Sequence, residues 1–185
     1  LFLLETGANQ IKSLVCKAGE HDFSNLTVSD GSIANEHLRV EAKGALIDIL
    51  HTDTGRCHYG LNRNEANEDA GDGWDYSPAW TPGEKVLSNR FAFTTCLIET
   101  GPVRATLMSQ GKMNVPSRLI GDTRSNERVD IPVSFEITLE RYLKRVDVKL
   151  TLENHAKDHR MRLRIPTGVK TDTILSQGHF GILRR

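Results

Sequence analysis

The feature that most constrains this chain is a period-two alternation of apolar and polar residues in its second half. Residues 133–139, 146–152 and 161–165 each place an apolar side chain at every other position. Because successive side chains of a β-strand point to opposite faces, this period predicts three strands, each with one buried and one solvated face. The short links at residues 141–145 and 154–159 predict antiparallel hairpins.

Shorter candidate strands precede this trio, at residues 38–42, 45–50, 56–59, 90–94, 96–99 and 103–109. No stretch has the i, i+3, i+4, i+7 apolar stripe of a helix. We therefore predict an all-β fold, arranged as an antiparallel β-sandwich of two sheets. Pro132 and Pro166 are expected to bracket the trio, because proline cannot donate a hydrogen bond to a central strand.

The charge balance and the cysteines exclude several classes of protein. Lys and Arg total 24 and Asp and Glu total 24, so the formal net charge is zero, which is not typical of a nucleic-acid-binding protein. No apolar run approaches the ~20 residues of a membrane-spanning helix. Cys16, Cys57 and Cys96 are odd in number and form no CxxC pair, so we interpret them as buried thiols in a reducing, cytoplasmic compartment.

Two long loops interrupt the predicted strands. Residues 60–84 hold six acidic residues against one basic residue, with Trp74, Tyr76 and Trp80 among them. Residues 115–130 are polar and contain three arginines. Loops of this length in a compact domain are either functional or disordered, and the aromatic residues favour an ordered first loop.

The acidic loop has two interpretations. One is a solvated loop that closes on the basic face of the strand at residues 160–164, whose arginine stripe we interpret as edge protection in preference to an anion site. The other is a carbohydrate-binding loop, because Trp and Tyr rings pack against the C–H face of sugars while acids and amides bond the hydroxyls.

Two groups of residues are weak candidates for a metal site. His155 and His159 flank an acid in a pattern similar to HxxEH, but that geometry needs a helix, and a turn is predicted here. His51, Cys57 and His58 lack a fourth ligand. We therefore predict no metal site in this chain.

Five motifs, taken in order, resemble one family. They are Ile-Ala-Asn-Glu-His-Leu-Arg-Val at 33–40, Asp-Gly-Trp-Asp-Tyr-Ser-Pro at 72–78, Glu-Thr-Gly-Pro-Val-Arg-Ala at 99–105, Lys-Arg-Val-Asp at 144–147 and Glu-Asn-His-Ala-Lys-Asp-His-Arg-Met-Arg at 153–162. Their order and spacing resemble the carboxyl-terminal β-domain of glycoside hydrolase family 38 α-mannosidases. The bacterial subgroup that includes mannosylglycerate hydrolases is the most similar.

The resemblance implies a retaining enzyme that cleaves α-mannosidic bonds. In this family an amino-terminal α/β barrel carries zinc, an aspartate nucleophile and an acid/base carboxylate, and those motifs match nothing here. The chain is therefore expected to be a sandwich of the galactose-mutarotase-like supersandwich type, excised from a longer polypeptide. It would hold no catalytic residue and no cofactor of its own, and would be inactive alone.

The resemblance also implies partners and boundaries. The expected partners are an α-mannoside and the amino-terminal barrel of the same polypeptide, with no nucleic acid and no membrane, and assembly into a homo-oligomer is left open. Residues 1–32 are expected to be the tail of a preceding β-domain with a linker, and residues 33–185 the truncated sandwich. The sandwich would pack on the barrel and complete the sugar-binding wall.

Four residues are carried over as substrate-binding candidates. A tyrosine of the family's acidic loop lies near the sugar, and Tyr76 is similar in position, with Asp75 beside it. An arginine after the last strand also approaches the sugar, and Arg184 or Arg185 is its counterpart. Trp74 departs from the family's Glu-Tyr pattern at this loop.

Two other functions compete with this interpretation. A stand-alone carbohydrate-binding module would use the same aromatic loop. An enzyme similar to aldose-1-epimerase would need a His/Glu acid–base pair over a sugar ring, for which His51, His58 and His179 are available, although none lies in a recognisable motif.

Overall fold

A computed structural model describes residues 26–185, and every regular element in this range except one short 3-10 turn is a strand. The strands are β1 (Thr27–Ser29), β2 (Ser32–Ala34), β3 (Leu38–Lys43), β4 (Leu46–His51), β5 (Cys57–Leu61), β6 (Arg63–Glu68), β7 (Val86–Leu87), β8 (Phe93–Thr100), β9 (Arg104–Pro116), β10 (Leu119–Ile120), β11 (Thr123–Arg124), β12 (Arg128–Glu140), β13 (Val146–Leu152), β14 (His159–Arg164), β15 (Leu175–Gly178) and β16 (Gly181–Arg184). The 3-10 turn is Ser88–Arg90. No helix in the described range is long or apolar enough to cross a membrane.

The first sheet is an antiparallel meander of five strands in the order β1-β2-β3-β4-β5. Tight turns join its strands, and Gly31 and Gly44 occupy them with φ of 74° and 61°, values that glycine adopts without steric cost. Ile33 pairs directly with Val40 in the register, and both side chains are fully buried. The sheet therefore buries one face, as the period-two pattern predicts.

The second sheet has four antiparallel strands in the order β13-β12-β9-β8. β9 and β12 are 13 residues each and pair along their whole length, from Arg104 opposite Glu140 to Pro116 opposite Arg128. The alternating residues predicted for β12 are buried, with Phe135 1% exposed. Together with the first sheet, this confirms the predicted antiparallel β-sandwich.

The core of the sandwich is formed by apolar side chains from both sheets. The buried members are Ile33, Leu38, Val40, Ala45, Ile47, Ala66, Ala105, Leu107, Met113, Val115, Ile131, Val133, Phe135, Ile137, Leu139 and Ala156. Burying a side chain such as Phe135 stabilises the fold by about 2–3 kcal/mol. The polar residues in this region are bonded: Asn35 donates to the Glu140 and Leu143 carbonyls at 2.7 and 2.9 Å, and so links the two sheets.

Pro132 corrects one expectation, because it lies inside the central strand β12 and does not mark its start. The Pro132 carbonyl accepts a hydrogen bond from the Glu153 amide, one residue beyond the end of β13. In an antiparallel strand the N–H and C=O of one residue point the same way, so the missing donor of Pro132 faces the side where the β13 ladder has ended. No hydrogen bond to β9 is lost.

A third, smaller sheet has the order β14-β6-β7 and was not foreseen. The predicted β13–β14 hairpin is wrong, since β13 pairs with β12 while β14 pairs with β6, from His159 opposite Glu68 to Arg164 opposite Arg63. The link between β13 and β14 therefore passes from one sheet to another. Arg162 and Arg164 of β14 form ion pairs with Glu65 of β6, and these ion pairs favour the pairing of the two strands.

Both predicted loops are shorter than expected. Residues 60–84 include the end of β5 and all of β6, so the irregular part begins at Asp69. Residues 115–130 contain the end of β9, the β10–β11 hairpin and the start of β12. Of these strands, β6, β10 and β11 were missed because β6 is polar and the two strands of the β10–β11 hairpin are too short to show an alternation, while β5, β9 and β12 extend beyond the segments predicted for them.

The remaining predictions concern the cysteines and the division of the chain at residue 32. Cys57 and Cys96 are free thiols, but Cys96 is exposed on the outer face of the edge strand β8, so the prediction of buried thiols is wrong there. Cys16 lies outside the described residues. The division of the chain at residue 32 stays a prediction, and most of its first segment also lies outside the described residues.

Candidate functional site: the loop over the third sheet

The candidate site is built on β6, a strand whose side chains are polar and yet buried. Asn64, Glu65, Asn67 and Glu68 are between 1% and 3% exposed. Successive residues alternate, so Ala66 reaches the core with Asn64 and Glu68 on its face, while Glu65 and Asn67 lie on the opposite face. Burying a polar group is costly unless it is hydrogen-bonded or paired, and β14 and the loop at residues 69–85 supply the partners of Glu65 and Asn67.

Glu65 is enclosed by three cations. Arg164 donates to Oε2 at 3.1 Å, Arg162 donates to Oε1, and the Lys85 ammonium lies 3.3 Å from Oε1. Burial alone would raise the pKa of the Glu65 carboxyl, but the hydrogen bonds from Lys85, Arg162 and Arg164 outweigh it and lower the pKa below its usual value. Glu65 is therefore an ionised carboxylate, and the arginine stripe of β14 is partly paired with it.

Tyr76 lies over this face and is held from two sides. Asn67 Nδ2 donates to the Tyr76 hydroxyl at 3.1 Å, and the Arg160 guanidinium lies 4.6 Å from the centre of the Tyr76 ring. Such a cation–π contact is worth about 0.5–1 kcal/mol at a partly exposed site. Tyr76 remains 43% exposed, so its ring is positioned and still accessible.

The acids of the loop serve mainly as turn formers. Asp69 Oδ1 accepts from the Gly71 and Ser77 amides at 3.0 and 3.1 Å. Asp72 Oδ1 accepts from the Trp74 and Asp75 amides at 2.8 and 2.9 Å, and these backbone bonds lower the pKa of Asp72. The loop is thus ordered, as its aromatic residues predict, and it does close on the basic face of β14.

The exposed side chains of the loop are two tryptophans and an acid. Trp74 and Trp80 are 92% and 90% exposed. The Asp75 carboxylate is exposed and makes no side-chain bond within the described range, although its amide anchors the turn at Asp72. Large exposed rings beside an accessible Tyr76 form a surface on which a ligand could stack.

The other two predicted residues lie elsewhere. Arg184 ends β16, which pairs with β15 alone, and Arg185 continues that pairing through its backbone bonds to Ile174. Both side chains are exposed. Across residues 26–185 no hydrogen bond, ion pair or ring contact joins them to Tyr76 or Asp75, so the structure brings together only the loop members of the predicted set.

The histidines do not form the arrangements considered from the sequence. His159 Nε2 lies 2.9 Å from Asn154 Oδ1, and burial, followed by the charge of Arg124, lowers the pKa of His159. The His51 and His58 rings meet edge to face at 5.6 Å. In the part of the chain that the structure describes, no group of three or more His, Cys, Asp or Glu side chains is placed to hold a metal ion. There too, His51, His58 and His179 have no carboxylate within ion-pair distance.

No protein-family model matches the chain. Its fold is similar to that of two solved structures from Enterococcus faecalis, a protein in glycosyl hydrolase family 38 and an alpha-mannosidase from strain V583. Each match has a TM-score of 0.81 and 19% sequence identity, and covers 91% of this chain. The chain has the fold of a segment of family 38 structures. This confirms the expected resemblance at the level of the fold.

The segment is a small part of these proteins. The chain spans 22% and 21% of the two Enterococcus chains, or about a fifth of their length. A protein of Halalkalibacterium halodurans named "Putative mannosylglycerate hydrolase" is 47% identical over 51 residues, which is 28% of this chain and 6% of that protein. The similarities therefore concern one part of each of these proteins.

Sequence reasoning missed the residues that build the site. Glu65 and Asn67 were predicted to lie in a loop and Lys85 was given no role, although these residues hold the arginine stripe and Tyr76 in place. One signal was available: Arg63, Glu65 and Asn67 alternate with the same period as the arginines of β14. Such polar complementarity between two segments almost 100 residues apart is difficult to recognise without a structure.

Proposed function

We propose that this chain is the non-catalytic β-sandwich portion of an α-mannosidase, and that the loop at residues 69–85 forms part of its sugar-binding wall. Retaining hydrolysis of the α-mannosidic bond would take place in an amino-terminal, zinc-containing barrel of the same polypeptide, on which the sandwich packs. The chain would work in a reducing, cytoplasmic compartment, in agreement with its free Cys57 and Cys96.

The observation that carries the proposal is the way Tyr76 is held. Asn67 Nδ2 donates to the Glu68 carbonyl at 3.1 Å and to the Tyr76 hydroxyl. Because the Glu68 carbonyl oxygen can only accept a hydrogen bond, this contact fixes the orientation of the Asn67 amide, with its nitrogen toward Tyr76. Tyr76 therefore accepts from Asn67, and its own proton is left to donate to a ligand oxygen. An oriented donor beside exposed aromatic rings suits a sugar hydroxyl.

The charges of the site support a binding role and not a catalytic one. A glycosidase needs one carboxylic acid that stays protonated near neutral pH, which requires a raised pKa. The pKa of Glu65 is shifted in the opposite direction, and both of its oxygens are engaged. We therefore place the acid, the nucleophile and the zinc outside this chain, and expect the 185-residue chain to be inactive alone.

The comparisons support one substrate class. The similar Enterococcus structures are of a family 38 protein and an alpha-mannosidase, which suggests an α-mannoside, and the similar Halalkalibacterium protein is named for a mannosylglycerate. We propose an α-mannoside as the ligand of the loop, contacted by Tyr76 and Asp75. Arg184 or Arg185 would join them once the exposed hairpin β15–β16 is covered by the rest of the polypeptide.

The test uses the full-length protein and a matched pair of tyrosines. Tyr76→Phe should lower kcat/KM for an aryl α-mannoside about tenfold or more, because a buried sugar hydroxyl loses its partner. Tyr142→Phe is the control, since Tyr142 also lies under an arginine, at 4.7 Å from Arg141, but outside the loop. Equal kinetics of the wild type and Tyr76→Phe would remove the site assignment.

A second variant tests the hairpin residue. Arg184→Ala should also lower kcat/KM about tenfold in the full-length protein if its guanidinium reaches the substrate. The neighbouring exposed Leu175→Ala serves as a control for general disturbance of the hairpin. An Arg184 effect no larger than that of Leu175 would limit the sugar contact to the loop.

The exposed tryptophans favour one alternative function, a stand-alone carbohydrate-binding module. In that case the 185-residue chain should bind methyl α-mannoside with a saturable calorimetric isotherm, and Trp74→Ala should abolish it. Under the main proposal the isolated chain binds this sugar weakly or not at all, because its contacts are shared with missing groups.

A further inference from the structure

A second polar site lies beside the third sheet, separate from Tyr76. It is a cleft of about 300 Å³ whose charged lining residues are four cations and one acid, namely Lys85, Arg90, Arg124, Arg128 and Glu84. Three of the cations lie within ion-pair distance of a carboxylate: Arg90 binds Glu84, Lys85 lies 3.3 Å from Glu65, and Arg124 lies 3.9 Å from Glu68. Arg128 has no such partner in the described range, so the cleft keeps an excess of positive charge.

Arg124 is a buried guanidinium with incomplete partners. Its side chain is 9% exposed. Nη1 donates to the Glu84 carbonyl at 3.1 Å and lies 3.9 Å from the Glu68 carboxylate, while Nη2 is buried and has no partner in the described range. Burial lowers the pKa of Arg124, the Glu68 charge opposes that shift, and the charge of Arg128 lowers it further.

Arg128 carries a charge that nothing in the cleft neutralises. Its Nε and Nη2 donate to Asn114, through the side-chain oxygen and the backbone carbonyl, and both acceptors are neutral. Arg124 and Arg128 therefore repel each other across the cleft, and the desolvated Arg124 makes the repulsion more costly than in water. Like charges held together over a cavity are stabilised when an anion lies between them.

We propose that this cleft binds a small oxyanion group, a phosphate or a carboxylate, between Arg124 and Arg128. The exposed Arg128 guanidinium can bind such an oxyanion through charge-assisted hydrogen bonds, the buried Arg124 adds its positive charge beside the cleft, and the cleft is large enough for a group of this size. Neither residue was assigned a function from the sequence beyond its place in a polar loop. The site is independent of the sugar-binding proposal and does not require it.

The test measures the melting temperature and calorimetric binding of the full-length protein with inorganic phosphate or with acetate, against sodium chloride at equal ionic strength. A concentration tenfold above Kd contributes about 1.4 kcal/mol, which raises Tm by only about 1 °C in a protein about five times the length of this chain, so calorimetric binding is the primary measure. Because phosphate also stabilises proteins in general, the measure is the difference between the wild type and Arg128→Gln. That variant keeps a donor for Asn114 and should lose most of the shift.

The control is Arg118→Gln, which removes an exposed arginine from the same part of the chain but outside the cleft. It should respond like the wild type. A response to phosphate alone or to acetate alone identifies the group, and a response to both supports the shared chemistry. Equal shifts in the wild type and Arg128→Gln, or shifts reproduced by chloride, would overturn the proposal.

Discussion

Strands β12 and β6 are both buried, but they are buried for different reasons. β12 alternates apolar residues that face the core with polar residues that face outward. β6 buries Asn64, Glu65, Asn67 and Glu68, which no hydrophobic driving force favours. The stability of β12 comes from removing apolar area from water, whereas that of β6 depends on charged and amide partners supplied by other segments.

The comparison shows how one small domain combines two kinds of interior. The apolar interior between the two large sheets is stabilised mainly by the removal of apolar area from water. The polar interior under the loop is stable only while its hydrogen-bond and ion-pair partners stay in place. Each buried polar group that loses its partner reduces the free energy of unfolding. Three changes can break or sharpen this distinction.

The largest effect is expected in the apolar interior. Phe135→Ala should reduce the free energy of unfolding by about 3–5 kcal/mol, because it removes a large buried ring and leaves a cavity. Urea denaturation followed by fluorescence measures the change. Ser134→Ala, on the outward face of the same strand, is the control and should change stability by less than about 0.5 kcal/mol.

An intermediate effect is expected in the polar interior. Glu65→Gln should cost about 2 kcal/mol, because the cations around it lose their counter-charge but remain half exposed and can be solvated. Glu136→Gln is the matched control: its exposed ion pair with Lys149, at 2.8 Å, is worth about 0.5 kcal/mol at most. Similar losses in the two variants would mean that the burial of Glu65 has no energetic consequence.

The same pair gives a pH dependence. Since the folded-state pKa of Glu65 lies below its usual value, the stabilisation is complete above the ordinary glutamate pKa of about 4.3 and is lost as pH falls through the folded-state pKa. Glu65→Gln should flatten the stability profile in this acidic range. Glu136→Gln is measured beside it as the control for a substitution at an exposed glutamate.

The smallest effect concerns His159 at the edge of the polar interior. Burial lowers its pKa in the folded state, so below about pH 6.5 the unfolded chain binds a proton more readily and stability falls. His159→Gln, which can still bond Asn154, should remove part of this loss between pH 7 and pH 5 in denaturant titrations. His155→Gln, at an exposed histidine of the same connection, is the control variant.

The alternating segments were sufficient to predict β3, β4, β12 and β13, but not β1 and β2. A strand with one apolar face needs a second such face to cover it, and this requirement is contained in the local order of residues. The aromatic residues of the acidic loop likewise predicted an ordered segment. Its closure on the arginines of β14 was one of two interpretations, and the contact is made by the Tyr76 ring with Arg160, while Asp69 and Asp72 bond the loop's own amides. The family resemblance added a fold that the solved structures support.

The pairing of β6 with β14, the partners of Glu65 and the burial of Arg124 could not be derived in this way. Each depends on side chains that are distant along the chain, and a polar residue has the same local signature whether it is solvated or paired. The burial of an apolar residue can be predicted from its own side chain and from the period of its strand. The burial of a polar residue depends on whether another segment supplies a partner. Only the tertiary structure brings such partners within hydrogen-bond distance of each other. Both proposed sites lie in regions where distant segments meet in this way.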